Sequence, residues 1–261
     1  MKLSVLIPSR GGRELKRTIE DILEHSEADT EIIVGFDGSM PEGFETFWSP
    51  GLKFHHEPEH VGQRAITNKL AYLSTSDYIM KVDAHCSFSQ GFDRVMLSEM
   101  DDKTILAPLL MSLDGPTWTI NGKKSTSRYC FDQNLVMQYD EENGNPETMC
   151  LQGSAWMVSR DNYWNWKLGD ETLGSWGGQG PELGIKAWLN GGVCKTTRNA
   201  YYGHVFREKE EDFPYQRDKA AIKGTTDEIK KRFKNQKIAG LIKKFNYPAD
   251  WTPEAVENLP L

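Results

Sequence analysis

The hydrophobic positions in the N-terminal part of the chain follow two different periods. Mostly apolar runs at 3–7, 31–36 and 78–82 predict buried strands, because a strand covered on both faces carries apolar side chains at most positions. Between these runs, apolar residues recur every three or four positions, as one face of a helix requires: Leu15, Ile19, Ile22 and Leu23, then Ile66, Leu70 and Leu73. Strands and helices thus alternate, which predicts an α/β fold with a mostly parallel central sheet flanked by helices.

The middle of the chain gives a less regular pattern. Phe92, Val95 and Met96 predict another helix, and 105–109 predicts another strand. Residues 114–148 are polar and rich in Gly, Asn, Ser and Asp, so we expect a long excursion from the sheet or an acceptor loop there.

The C-terminal part is predicted to be helical. Between 227 and 245, apolar side chains fall on one face of a single helix, and the other side is strongly basic. We therefore expect a main domain at 1–210 and a helical C-terminal extension at 211–261. The lysines favour an anionic polymer as partner, although a solvated helix face is the commoner meaning of such a pattern.

Composition excludes several classes of protein. The formal net charge of −7 argues against a nucleic-acid-binding surface that covers the whole molecule. Four widely separated cysteines without a CxxC pair argue against a zinc knuckle or a disulfide scaffold. The first apolar run ends at Pro8 and is too short for a signal sequence or a membrane span. We expect reduced thiols in a cytoplasm and no membrane partner.

Polar side chains cluster where the predicted strands end. Pro8, Ser9 and Arg10 follow the first strand, Asp37 follows the second, and Asp83 follows the third. In open parallel sheets, ligands bind beyond the carboxyl ends of the strands. The active site is therefore expected at this edge. Asp37 precedes a glycine, so it either contacts a base or ribose or simply forms a turn.

The Asp83-Ala84-His85 segment is a candidate metal site. Alternation along an extended chain places the side chains of Asp83 and His85 on the same side, where one carboxylate and one imidazole can bind one ion. Such ligands suit manganese or a similar divalent cation, which would neutralise a departing nucleotide diphosphate. An isolated motif of this kind more often contains a helix-capping aspartate and a structural histidine.

Two later segments contain further candidates. In the Gly-rich segment 176–182, Trp176 offers a stacking face, Gly177 and Gly178 would let the backbone approach a sugar, and Glu182 would accept hydrogen bonds from hydroxyls. A Gly-rich turn with a helix-capping glutamate is equally compatible. Farther on, in the segment 203–207, His204 would be a third metal ligand and Arg207 a cation for phosphate.

Taken in order, these segments resemble the catalytic domain of the polypeptide N-acetylgalactosaminyltransferases. The resemblance rests on five stretches and covers roughly the predicted main domain: Val5-Leu6-Ile7-Pro8-Ser9, Glu31 to Ser39, Lys81 to Ser87, Trp176-Gly177-Gly178 with Glu182, and Gly203-His204-Val205-Phe206-Arg207. It implies a GT-A fold, a UDP-sugar donor and manganese.

The resemblance also implies roles for individual residues. Asp83, His85 and His204 would bind the metal. Asp37 would contact the uridine, and Arg64, on the helix beginning at Gln63, would belong to the nucleotide site. Pro8, Ser9 and Arg10 are expected to bind the substrate. Trp176, Gly177 and Gly178 would frame the sugar and the acceptor. Glu182, Gln179 and Arg207 would act at the reaction centre.

The chain departs from the family at two points. Gln179 stands where the family usually has an acidic residue, and Gly180 where it has Asn and where inverting relatives commonly have a catalytic Asp. Retention of the anomeric configuration is therefore favoured. No membrane anchor or C-terminal lectin module of the animal Golgi enzymes is recognisable, so a cytoplasmic enzyme of a microbe or a virus-infected cell is expected.

The leading hypothesis is a manganese-dependent, retaining transferase that moves a hexose or N-acetylhexosamine from a UDP-sugar to a hydroxyl. The acceptor would be a protein, a glycan or a hydroxymethylated base of viral DNA. Gln179 and Gly180 keep open a non-catalytic module that binds sugar nucleotides or glycans. A nucleotidyltransferase fits less well, because residues 8–12 are not followed by the lysine of a phosphate-binding loop.

Overall fold

The computed structural model describes residues 2–140, 144–207 and 209–261, with only the backbone of 123–126. Its strands are β1 (Lys2–Ser9), β2 (Asp29–Asp37), β3 (Leu52–Glu57), β4 (Tyr78–Val82), β5 (Cys86–Phe88), β6 (Thr104–Asp114), β7 (Thr119–Thr126), β8 (Tyr129–Phe131), β9 (Met137–Tyr139), β10 (Ala155–Ser159) and β11 (Val193–His204). Its α-helices are α1 (Leu15–His25), α2 (Gln63–Leu73), α3 (Phe92–Ser98), α4 (Arg160–Asn165), α5 (Gln179–Leu189), α6 (Lys219–Phe233), α7 (Ala239–Lys244) and α8 (Pro253–Glu257).

The main sheet has the strand order β3-β2-β1-β4-β10-β6-β11-β5, with β7 paired to β6. The strands β1 to β4 run parallel, β10 runs antiparallel between β4 and β6, and β6 and β11 are again parallel. The predicted α/β class and its mostly parallel sheet flanked by helices are confirmed.

Alternate residues of each central strand face opposite layers, because successive side chains of a strand point to opposite sides. In β1, Val5 and Ile7 join the cluster that contains Ile19 of α1, whereas Leu6 joins the cluster that contains Leu70 of α2. The strand is buried on both faces, and this explains why most of its residues are apolar.

The predicted loop at 114–148 was wrong in its described part. The strand β6 extends to Asp114, β7 pairs back onto it, and β8 and β9 form a separate two-stranded sheet. β8 and β9 have only three residues each, β9 is partly exposed, and β7 is mostly polar, so the sequence shows no long apolar run here. The hairpin β8–β9 contacts the C-terminal segment of the chain, where Trp251 Nε1 donates a hydrogen bond to the Phe131 carbonyl over 2.9 Å.

The single helix predicted for 227–245 was also wrong. The helix α6 begins earlier, where the Asp218 carboxylate accepts a hydrogen bond from the Ala221 amide, and it ends at Phe233. Asn235 then caps a short turn that leads into α7, with its side chain accepting from the Lys237 amide. The side-chain cap of Asn235 therefore interrupts the helix, although the apolar spacing alone predicts one continuous helix.

Candidate active site

A cavity of about 350 Å³ lies beyond the carboxyl ends of β1, β2 and β4, where the topology predicts a ligand site. Nine of the residues predicted for the site line it: Pro8, Ser9, Arg10, Asp37, Asp83, His85, Trp176, His204 and Arg207. They come from separate stretches of the sequence, and the strand ends bring them together. This volume is within the range of small-molecule sites.

Asp83, His85 and His204 form the most concentrated group of ligating side chains in the part of the chain that the structure describes. One potential ligand atom from each lies within 4.8 Å of the other two. The chain turns out of β4 at Asp83, and β11 ends at His204, which is held against the loop by the hydrogen bond from the Val205 amide to the His85 carbonyl. The predicted trio therefore converges.

The chemistry of this trio fits a divalent cation. The Nδ1 atoms of His85 and His204 are buried and have no hydrogen-bond partner among the described residues. Removal from water, followed by the proximity of His204, lowers the pKa of His85 well below its usual value, so this imidazole is in the neutral form that binds metals. One carboxylate and two imidazoles suit manganese, and an ion would give the orphaned nitrogens a partner.

The Asp83 carboxylate is held from two sides. Its Oδ1 pairs with the ammonium of Lys81, and its Oδ2 lies 3.3 Å from His204 Nε2. Removal from water alone would raise the pKa of Asp83, but Lys81 and then His204 more than reverse this effect and hold the pKa far below its usual range. The carboxylate is therefore ionised and oriented within the cavity wall.

The carboxylate of Asp37 forms hydrogen bonds with nearby residues of the protein. It accepts hydrogen bonds from the Val61 amide over 2.6 Å and from the Gly62 amide, and His60 Nδ1 lies 2.7 Å away. These contacts hold the turn that precedes α2. His60 lines the cavity beside it and was not predicted from the sequence.

Three arginines surround the cavity. Arg207 Nη2 donates to Glu14 over 3.1 Å, the guanidinium of Arg10 lies over the Tyr215 ring, and that of Arg217 lies over the Phe213 ring. Arg217 is also paired with Glu210, through Nε over 3.1 Å and Nη2 over 2.5 Å. A guanidinium group stacked on a ring presents its remaining N–H donors at the edge, where phosphate oxygens are recognised. This concentration of positive charge suits a diphosphate.

Arg64 and Glu182 do not reach the cavity, contrary to their predicted roles. Both side chains are almost completely buried, and Arg64 Nη2 pairs with Glu182 Oε2 over 2.7 Å. The other oxygen of Glu182 pairs with Lys186 Nζ, also over 2.7 Å. Because both carboxylate oxygens are committed to buried cations, Glu182 supports the protein frame and is not placed to contact a substrate.

Arg64 instead fixes the loop that carries Trp176. Its Nη1 donates to the Gly174 carbonyl and its Nη2 to the Gly177 carbonyl, over 3.1 and 2.7 Å. The ring of Trp176, in the middle of this loop, is 39% exposed and lines the cavity. Arg64, which was predicted to bind the nucleotide, therefore lies outside the cavity and holds the backbone of the loop that carries Trp176.

Gly177 and Gly178 also serve packing and are not placed against a sugar. Gly178 has a φ of 60°, and a Cβ there would lie 2.3 Å from Ile229 Cδ1 of α6. Gly177 has a φ of 102° and faces Ile222 of the same helix. The Gly-rich segment is thus the surface on which α6 packs, and neither glycine lines the cavity.

Gln179 and Gly180 begin α5 and are buried. A Cβ on Gly180 would lie 2.3 Å from the Leu151 carbonyl oxygen, so an acidic side chain cannot be accommodated there without moving the backbone. Gln179 packs against Gly153 and is not part of the cavity wall. The position at which inverting relatives commonly have a catalytic Asp is closed by packing.

Sequence reasoning missed the residues that cover the cavity from the C-terminal side. Phe213, Tyr215, Arg217, Asp218 and Ile222 line it, although they lie beyond the boundary placed at residue 210. The aromatic and basic residues soon after Arg207 could have indicated a ligand-binding stretch. Their spacing, however, shows no helical or strand periodicity that would predict where they lie. The division at residue 210 remains a prediction, and it separates residues that share one cavity.

Comparison with known proteins gives concordant similarities. The profile described as Glycosyl transferase family 2 matches residues 4–166. A Drosophila melanogaster protein named "Putative polypeptide N-acetylgalactosaminyltransferase 13" is 30% identical over 233 residues, which are 78% of this chain and 41% of that protein. Human polypeptide N-acetylgalactosaminyltransferase 10 is 24% identical over 229 residues, with 78% and 38% covered. The chain thus spans about two fifths of the length of these relatives.

Two solved structures share the fold. GalNAc-T7, crystallised with UDP, GalNAc and Mn²⁺, superimposes with a TM-score of 0.75 at 18% identity, over 98% of this chain and 53% of that one. S. aureus TarS 1-349, in complex with UDP-GlcNAc, gives a TM-score of 0.61 at 13% identity, over 98% of this chain and 70% of that one. The predicted GT-A fold is confirmed by these superpositions. No helix among the described residues is both long and apolar enough to cross a bilayer.

Proposed function

This chain belongs to glycosyl transferase family 2, and we propose that it is a manganese-dependent enzyme that transfers a sugar from a UDP-sugar donor to an acceptor hydroxyl. The observation that carries the proposal is the convergence of Asp83, His85 and His204 on the wall of a cavity that three arginines surround. The names of the relatives support it, as do the UDP and Mn²⁺ with which GalNAc-T7 was crystallised.

The parts of the cavity suggest where each part of the donor binds. Pro8, Ser9, Asp37 and His60 would hold the nucleoside, and the buried hydroxyl of Ser9 has no partner among the described residues. Asp83, His85 and His204 would hold the metal ion, which supplies positive charge to the departing diphosphate. Trp176, on the loop fixed by Arg64, would pack against the sugar.

The carboxylates on the cavity wall favour retention of configuration. Among the described lining residues, these are Asp37, Asp83 and Asp218, and each is committed: to the turn before α2, to Lys81, and to the first turn of α6. None is free to act as the general base that an inverting reaction requires. The acceptor oxygen would then bond to the anomeric carbon on the face from which the diphosphate departs. Its proton would pass to an oxygen of that leaving group, while Arg207 and Arg10 stabilise the negative charge.

The relatives' names make an N-acetylhexosamine the first donor to test and a polypeptide hydroxyl the first acceptor. Glycans and hydroxymethylated DNA are the other candidate acceptors to test. The enzyme's origin in a microbe or a virus-infected cell stays a prediction. Lys231 and Lys244 of the basic C-terminal stretch are paired with Glu228 and Glu147, which reduces the charge available to a DNA acceptor.

A product screen by mass spectrometry tests the proposal. The purified chain is incubated with Mn²⁺, a mixture of UDP-sugars and each acceptor class, and donor hydrolysis is followed in parallel. A mass increase of one sugar residue is expected on one acceptor class, and chelation of the metal should abolish it. Binding of UDP-sugar without any product or hydrolysis would instead identify a non-catalytic binding module. Failure to bind any UDP-sugar would refute the proposal.

A further inference from the structure

Lys81 is a fully buried lysine in the middle of β4, directly beneath the candidate metal site. Its ammonium has two contacts: it pairs with Asp83 Oδ1, and it donates to the Gly153 carbonyl oxygen over 2.7 Å. Every other residue of β4 is apolar and buried. A buried ammonium costs several kcal/mol unless it is well paired, so an apolar residue would be the ordinary choice at this position.

As a consequence, the negative charge of the Asp83 carboxylate is neutralised by Lys81 before any ligand binds. Its Oδ1 faces Lys81, with Gln63 Nε2 at 3.4 Å, whereas its Oδ2 faces His204 Nε2 at 3.3 Å. The trio itself contains one negative charge and two imidazoles, and Lys81 adds one positive charge. A free divalent cation therefore meets a site whose net charge is close to zero and which is already held in place.

We propose that Lys81 is a positioning residue whose positive charge, placed beside Asp83 Oδ1, makes metal binding depend on the nucleotide diphosphate. The inference rests on the proposed function, because it concerns the same metal site. Lys81 repels a free divalent cation and attracts a diphosphate, so the cation is retained chiefly when the diphosphate is bound with it. Loss of the metal after the nucleotide leaves follows from the same charge balance.

Removing this charge should therefore tighten the binding of the metal alone. Two charges a few ångströms apart, at the effective dielectric constant of about 20 that suits even buried protein sites, interact strongly enough that the dissociation constant for free Mn²⁺ should fall at least ~10-fold. The affinity for Mn²⁺ together with UDP should change by less than about threefold, because the lost attraction for the diphosphate offsets the lost repulsion. A purely structural role for Lys81 predicts the opposite direction, since a damaged site binds metal more weakly.

The test measures Mn²⁺ binding by electron paramagnetic resonance, with and without UDP, in the unmodified chain and in Lys81→Met. Lys81→Gln is the second variant, because its amide keeps a donor in this position without the charge. Lys186→Met is the control: Lys186 is also buried and also contacts a backbone carbonyl, but the carboxylates it pairs with, Glu182 and Asp170, are not part of the candidate metal site. Thermal unfolding with and without Mn²⁺ monitors folding.

Tighter binding of Mn²⁺ alone in both Lys81 variants, with no change in Lys186→Met, is the expected result. Unchanged or weaker binding in the Lys81 variants, while the unmodified chain binds Mn²⁺ with UDP, would overturn the role of Lys81 and leave the proposed function intact. If the unmodified chain binds no Mn²⁺ even with UDP, the metal-dependent function fails, and the inference fails with it.

Discussion

Two regions of the molecule carry the sequence features that point to sugar transfer, and the fold uses them differently. The metal corner, formed by Asp83, His85 and His204, opens onto the cavity and contains buried nitrogens without partners among the described residues. The Gly-rich segment 176–182 mostly faces inward: Glu182 is paired through both oxygens, and Gly178 lies against α6. Of these two regions, the metal corner therefore has ring nitrogens available to a ligand, whereas the buried carboxylate of the Gly-rich segment is fully paired and supports the frame.

This difference predicts opposite consequences for substitutions in the two regions. A change in the metal corner should reduce activity much more than stability. A change in the buried network of the Gly-rich segment should reduce stability much more than the activity of each folded molecule. The comparison fails if both regions respond in the same way.

The largest effect is expected for Glu182→Gln. The substitution leaves Arg64 and Lys186 as buried cations without their carboxylate, and breaking a buried pair in this way costs about 3–5 kcal/mol. Urea unfolding followed by circular dichroism measures the loss. Glu27→Gln is the control, because Glu27 pairs with the exposed Arg94 at the surface, and this substitution should reduce stability much less. A loss of activity in fully folded Glu182→Gln, without a change in stability, would restore Glu182 as a catalytic candidate.

The next effect is expected for His204→Ala. Loss of one of three ligands should lower kcat/KM at least ~100-fold with Mn²⁺ present, which corresponds to about 2.7 kcal/mol of transition-state stabilisation. The free energy of unfolding should fall by only about 1 kcal/mol, since the side chain lies beside the cavity. Donor hydrolysis gives the first value and urea unfolding the second.

His55→Ala is the control for this variant, because His55 lies in β3 beside Glu57 and does not line the cavity. Its activity should stay within about twofold of the unmodified chain. If His204→Ala retains full manganese-dependent activity, the assignment of the metal corner is wrong.

A smaller effect is expected for Gly180→Ala. The added Cβ would lie 2.3 Å from the Leu151 carbonyl oxygen, so the backbone of α5 has to shift, at a cost of about 1–3 kcal/mol. Gly224→Ala in α6 is the matched control, because nothing lies within 4 Å of its added Cβ. In that helix interior, alanine should stabilise the protein by about 0.5–1 kcal/mol. Equal effects of the two substitutions in thermal unfolding would contradict the packing described for Gly180.

The sequence predicted the metal corner better than the Gly-rich segment for a physical reason. Asp83 and His85 follow a buried strand, where alternation determines which side chains point together, and the parallel topology determines which strand ends meet. Glycines lack a side chain, so Gly177 and Gly178 gave no information about which neighbour their backbone approaches. Glu182 had the composition of a ligand residue, but its partners Arg64 and Lys186 become apparent only after the helices pack.

The C-terminal contribution to the cavity was unpredictable for a different reason. Phe213, Tyr215 and Arg217 lie in a stretch without helical or strand periodicity, so their placement depends on long-range packing of α6 against the Gly-rich segment. The central sheet, in contrast, was predictable because its strands β1, β2 and β4 are buried on both faces.

The smallest effect distinguishes two parts of the Gly-rich segment itself. Trp176 is the member of that segment whose side chain lines the cavity, and its ring is 39% exposed. Trp176→Phe should raise the KM for the donor about 3- to 10-fold through lost contact area, while stability stays within about 0.5 kcal/mol. Trp164→Phe is a closely matched control, because Trp164 is 42% exposed on α4 and lies outside the cavity wall. If both substitutions leave the KM unchanged, the loop held by Arg64 has only a structural role. The metal corner would then bind the ligand, and the whole Gly-rich segment would only support the fold.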